Sequence, residues 1–165
     1  MNEITKQSNK SMLPVEKLRL ENVRNGILCL TFDDARYTEW LKVLDIFRKY
    51  GAHATFFDSG DITPVVIESM KTLQKEGHSI GLHTLRHRDA PTMEETSPDE
   101  YIETEILPQL KPLEEVSFSI DLFAYPNNRR TEQTDKVLSR YFRRFRAGIS
   151  PRPDPPTGYW IANQP

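Results

Sequence analysis

Five short apolar runs, at 27–32, 52–57, 78–82, 119–125 and 142–147, alternate with segments whose apolar residues recur at helical spacing. That alternation is the strongest constraint on the fold. The spacing predicts a helix over 38–50 on Trp40, Leu41, Leu44 and Phe47, capped by Thr38 and stopped by Gly51. A second helix opens at Thr63-Pro64, buries Val66, Ile67, Met70 and Leu73, and ends at Gly77. A third starts at Ser97-Pro98-Asp99-Glu100, a cap with proline at the first position, and Pro108 and Pro112 should kink or shorten it. A basic helix over 131–141 precedes the last run. Strand and helix in strict alternation predict a parallel α/β sheet or barrel, with chemistry at the carboxyl ends of the strands. The first run is continuously apolar, so it is expected to be covered on both faces, with Cys29 a buried, inert thiol.

The 165 residues suit one domain. A polar N-terminal segment occupies 1–25, the domain 26–149, and a proline-rich tail 150–165. In the tail, Tyr159 and Trp160 are expected to stack on a sugar, anchor the tail, or meet a neighbouring subunit in a homo-oligomer. A net charge of −2 argues against charge-driven binding to nucleic acid or an anionic membrane. The aromatic–basic run Arg140-Tyr141-Phe142-Arg143-Arg144-Phe145-Arg146 reads instead as a helix end entering a strand, apolar residues inward and arginines outward. No run is long and apolar enough to span a bilayer, and the first 21 residues lack the apolar core of a signal peptide. The absence of that core points to a cytoplasmic location without membrane insertion, with an extracytoplasmic one as the alternative.

Two polar groups stand where apolar runs stop. Thr31-Phe32-Asp33-Asp34 ends the first run, and His83-Thr84-Leu85-Arg86-His87 follows the third. His83 and His87 are four apart, so on one helical turn their rings would share a face and form a workable pair for Zn²⁺. On spacing alone a plain surface turn is the commoner reading. Asp33-Asp34 supplies the acidic partner. Two adjacent carboxylates repel unless a cation lies beside one of them, and their side chains diverge, so one can bind metal while the other faces water. Alternatively the pair opens a loop and caps the next helix.

Leu30-Thr31-Phe32-Asp33-Asp34, Ala54-Thr55-Phe56-Phe57, the stretch from Gly77 to His87, and Phe123-Ala124-Tyr125-Pro126 together resemble the polysaccharide deacetylase family, the NodB-homology domain. The resemblance implies an α/β fold, a distorted and incomplete (β/α) barrel, here shortened at its C-terminal end. It implies a metal-dependent hydrolase that removes acetyl groups from an N-acetylated sugar, with Zn²⁺ as the expected ion and Co²⁺ or Ni²⁺ as alternatives. By position Asp33 would be the general base, Asp34, His83 and His87 the metal ligands, and the backbone N–H of Asn127 an oxyanion donor. Three departures stand out. The slot where the family often carries a base-orienting arginine holds Ala124; Arg129 and Arg130 are nearby candidates to replace it, but read better as solvated charges at a helix start. Asn127 occupies a position that is usually aromatic, and no histidine follows it to serve as general acid. These departures keep two further expectations open: a weakly active or inactive binding domain of the same fold, and a hydrolase of another C–N bond.

Overall fold

The computed structural model describes residues 28–90, 97–148 and 158–162, the last five by backbone alone. The expected polar segment 1–25 lies outside the described residues. One six-stranded sheet runs in chain order: β1 (Leu30–Phe32), β2 (Ala54–Asp58), β3 (Ser79–Leu82), β4 (Leu122–Ala124), β5 (Arg144–Gly148) and β6 (Gly158–Ala162). The first five strands are parallel, and β6 returns antiparallel along β5. Its strand therefore falls within the proline-rich stretch 150–165. The side chains of Tyr159 and Trp160 lie outside the described residues.

The sheet is curled. In a flat sheet β1 and β5 would stand about 19 Å apart, four strand spacings. Yet Arg146 Nη1 on β5 donates to Thr31 Oγ1 on β1 at 2.9 Å, which only a strongly curved sheet allows. The result is a parallel five-strand half-barrel wrapped by helices, the incomplete (β/α) barrel expected from the sequence.

Alternate residues of each strand serve opposite faces. Phe56, Ile80, Leu82, Phe123, Phe145 and Ala147 belong to the main core, with Ile67, Met70, Leu73, Ile106, Leu110 and Leu113 from the helices. Among the described residues, the concave face has a small apolar cluster, Phe57, Leu122 and Ala124. Gly81 is required there: a Cβ at this position would come within 2.5 Å of the Phe57 ring and 2.9 Å of the Leu122 carbonyl.

The predicted 38–50 helix is two short ones, α1 (Tyr37–Lys42) and α2 (Leu44–Tyr50), hinged at Val43. Thr38 does not cap it; the cap position is Arg36, without a side-chain bond. A tertiary anchor sets the earlier start, because Tyr37 donates to Asp58 Oδ1 at 2.6 Å and packs edge-on against Trp40. Gly51 closes α2 at φ 57°, as its position predicts. Thr63 caps α3 (Pro64–Lys75), accepting from Val66 N. Ser97 likewise caps α4 (Pro98–Tyr101), which passes through a π turn at Ile102–Ile106 into α5 (Leu107–Glu115). Thr131 caps α6 (Glu132–Leu138) in a reciprocal pair with Thr134.

The first run behaves differently from the expectation. Leu28 and Cys29 are exposed and only Leu30–Phe32 form the strand. The reason is topological: among the described residues β1 is the edge of the sheet and pairs with β2 alone. Continuous apolarity cannot distinguish a central strand from an edge strand.

Candidate active site

The carboxyl ends of β1 and β3 bring the two polar groups of the sequence together. Beyond β1 the chain turns sharply, with Asp34 at φ 76° and Ala35 at φ 49°. Left-handed backbone at a non-glycine residue costs energy and persists where the surroundings enforce it. His83, at the end of β3, is buried, its side chain 2% exposed. Its backbone N–H donates to Asp58 O at 2.6 Å. Its Nδ1 lies 2.8 Å from Ala124 O on β4. A carbonyl can only accept, so Nδ1 carries the hydrogen and Nε2 presents its lone pair to the site. Burial holds the His83 pKa below the usual imidazole range, outweighing the nearby Asp33 carboxylate. The neutral ring is the form that binds metal.

His87 does not reach the site on a helical turn. Residues 83–87 form a non-helical loop with Thr84 at φ 67° and His87 at φ 54°. The α4–α5 region holds this loop in place. Pro108 cannot donate to Thr104 O, and that carbonyl accepts from Arg86 Nη1 at 3.4 Å. The Glu105 carbonyl accepts from Leu85 N at 3.0 Å. The fully buried Glu105 carboxylate accepts from Arg86 N at 2.9 Å and from Arg86 Nη1 at 3.0 Å. Thr84 Oγ1 accepts from Arg88 N at 3.0 Å, which compensates the strained backbone of a β-branched residue. The π turn, a feature frequent at functional sites, thus lies behind the histidine loop.

Asp34, His83 and His87 each present a donor atom, and all three atoms lie within 4.8 Å of one another. Asp34 Oδ1 is 3.5 Å from His87 Nε2 and 4.0 Å from His83 Nε2. An ion about 2 Å from each ligand needs donors roughly 3.3–4 Å apart, so small side-chain adjustments would close the set. Two imidazoles and one carboxylate suit zinc or a similar borderline ion. Asp34 and His87 side chains are 51% and 40% exposed, leaving an open side for water or substrate. The residues therefore fit a three-ligand catalytic metal site.

Asp33 sits beside this set, Oδ2 being 3.7 Å from His83 Nε2. Arg146 Nη2 donates to that same Oδ2. Asp33 Oδ1 is buried and has no hydrogen-bond partner among the described residues. Asn127 lies on the 3₁₀ turn Pro126–Asn128 that follows β4, at φ 51°. Its side chain donates to Asp89 Oδ1 at 2.7 Å.

Other histidines and arginines sort as follows. His78 is buried and its Nδ1 accepts from Ala54 N at 3.1 Å, the scaffold role expected of it. His53 is exposed. Arg129 pairs with Asp89 and Arg130 with Asp135, so these ion pairs of both lead away from Asp33. Arg146, expected to face outward, reaches into the site instead. Alternation along 144–147 separates Arg144 and Arg146 from Phe145 and Ala147, but it cannot say which face is which. The aromatics face the helix layer, and the arginine positions face the concave side. Glu105 was likewise missed; a lone acid in a helical stretch carries no signal of burial.

Asp58 forms a buried polar centre next to the site. Tyr37 donates to one oxygen at 2.6 Å and Gln109 Nε2 to the other at 3.2 Å. Burial pushes the Asp58 carboxyl up to about 7, against the opposing effect of the Tyr37 hydrogen bond.

Among known proteins, a peptidoglycan-N-acetylglucosamine deacetylase of Bacillus cereus is 42% identical over 84 residues, 49% of this chain and 37% of that protein. A chitin deacetylase of Colletotrichum lindemuthianum is 28% identical over 120 residues, 70% of this chain and 45% of that one. The fold superposes on a CE4-family pseudoenzyme from Bacillus anthracis with a TM-score of 0.59 and 22% identity, covering 72% of this chain and 41% of that one. The chain thus spans less than half the length of each of these relatives. Residues 21–144, well over half of the sequence, match the polysaccharide deacetylase family as a whole. With its half-barrel fold and its four motif segments along the strands of one sheet and the loops that leave them, the chain belongs to the polysaccharide deacetylase family.

Proposed function

We propose that this chain is a metal-dependent deacetylase acting on an N-acetylated sugar of a polysaccharide. The observation that carries the reading is the convergence of Asp34, His83 and His87 donor atoms within 4.8 Å, with the orphaned Asp33 Oδ1 alongside. Similarity to chitin and peptidoglycan deacetylases supports the substrate class. Zinc is the ion the donor set favours, with cobalt or nickel as alternatives. A divalent ion held there acidifies water and polarises a carbonyl oxygen.

The chain's own residues do the rest. Asp33 accepts a proton from water as the water oxygen bonds to the acetyl carbon. The backbone N–H of Asn127 donates to the carbonyl oxygen as it gains negative charge. The C–N bond then breaks, acetate forms, and the nitrogen leaves as an amine after gaining one proton. The proton taken by Asp33 is at hand for that step. A second reading follows from the likeness to a pseudoenzyme: a domain that keeps the metal ligands and binds glycan without cleaving it.

Acetate release from N-acetylglucosamine oligomers, with metal content measured in parallel, separates the two. The expected result is metal in the wild type and none in the His83→Ala plus His87→Ala variant. Asp33→Asn should keep the metal and lose about 10²–10⁴-fold in rate. Metal without Asp33-dependent acetate release would favour the binding domain, and equal metal in wild type and double variant would remove the metal centre altogether.

A further inference from the structure

We propose that Arg146 is the positioning residue for Asp33, supplied from β5 in place of an arginine on β4. The inference rests on the reading of Asp33 as general base and names a residue that sets its geometry. Three observations converge on it.

The first is the contact itself. Arg146 binds Asp33 Oδ2 through Nη2 and Thr31 Oγ1 through Nη1. Its guanidinium also lies over the Phe57 ring, 5.0 Å from the centroid, and its side chain is only 17% exposed. A planar guanidinium fixed on three sides holds a carboxylate in one orientation far better than a mobile surface charge. With Oδ2 so held, the remaining acceptor, Oδ1, stays buried and unpartnered among the described residues. A buried acceptor without a donor is costly unless a ligand or water uses it.

The second is register. Ala124 and Arg146 are direct partners across β4 and β5. Opposed residues share a face and stand about 5 Å apart. An arginine moved from 124 to 146 therefore enters the same concave space from the next strand.

The third is room. Ala124 is fully buried within the small cluster of Phe57 and Leu122. A second arginine there would crowd and repel the first. Alanine at 124 and arginine at 146 thus make one coupled arrangement, in which the small side chain clears the path of the long one.

A merely structural arginine, tying β1 to β5, would make a different set of predictions, and the test separates them. For Arg146→Met, kcat on N-acetylglucosamine oligomers should fall about 10²-fold, the size expected when a reacting group is misplaced by an ångström. KM should stay within about threefold and metal content should be unchanged, because no ligand is touched. Arg146→Lys should recover part of the loss. Adding Ala124→Arg to Arg146→Ala should raise kcat about tenfold or more over Arg146→Ala alone, since a guanidinium then returns from the neighbouring strand. Melting temperatures of Asp33→Asn, Arg146→Met and the double variant form a cycle that needs no activity. The double variant should melt no lower than the worse single variant. Additive losses would show that Arg146 does not hold Asp33. A lower melting temperature with unchanged kcat would assign Arg146 a structural role and overturn the proposal. If the wild type releases no acetate, the proposed activity fails, and the melting cycle still decides whether Arg146 orients Asp33.

Discussion

The two faces of the curled sheet are built from alternate residues of the same strands, yet they do opposite things. The convex face carries Phe56, Ile80, Leu82, Phe123 and Phe145 and is sealed by helices into one large apolar core. The concave face carries Thr31, Phe57, Gly81, Ala124 and Arg146, and among the described residues three side chains form its apolar cluster, Phe57, Leu122 and Ala124. Strain collects at the rim of the concave face: Asp34, Ala35, Thr84, His87, Asn127 and Asn128 all have positive φ. None of the strand residues on the convex face does. The lesson is a division of labour. Burial on one face stabilises the fold, and that stability tolerates polar, strained groups on the other.

The largest effect on this contrast should come from the convex side. Phe123→Ala removes a fully buried ring and should destabilise the protein by about 3–5 kcal/mol. Chemical unfolding measures that loss, while metal content per folded molecule should stay the same. A folded variant without metal would show that the faces are not independent.

Asp58→Asn tests the boundary between the faces, with a sign fixed by the raised carboxyl. Below pH about 4 the acid is protonated in both folded and unfolded chains, and wild type keeps its full stability. As pH rises toward 7 the unfolded chain ionises first and the folded state loses stability relative to it. The loss is complete above the folded value and amounts to roughly 4 kcal/mol at most. Asparagine does not titrate, so this part of the pH dependence should be missing from the variant's unfolding free energy. Parallel curves for wild type and variant would show that Asp58 is not a titrating buried acid.

Glu105→Ala removes the carboxylate that holds the histidine loop from behind. Metal affinity should weaken about tenfold to a hundredfold, as when supporting partners of metal ligands are lost. Calorimetric titration with Zn²⁺ checks it, and an unchanged affinity would mean that the loop keeps its shape without Glu105. The smallest effect belongs to the exposed edge. Cys29→Ser should change stability by no more than about 0.5 kcal/mol, and thiol reagents should label Cys29 in the native protein.

Much of this was legible in the chain itself. Alternating strand and helix periods, the helix starts at Thr63 and Ser97, and the stop at Gly51 are local signals that survive in the fold. The polar groups at the ends of the first and third apolar runs fall on one rim because parallel strands all end on the same side. The tertiary structure alone decided the rest. It turned the arginine positions of β5 toward the concave face, since period-2 alternation separates two faces without naming them. It exposed Cys29, since an apolar run does not reveal whether its strand lies at an edge. It buried Glu105 behind the histidine loop through contacts 18 to 20 residues apart in sequence. And it brought Arg146 to Asp33 across 113 residues, by curling the sheet until its first and fifth strands could share a hydrogen bond.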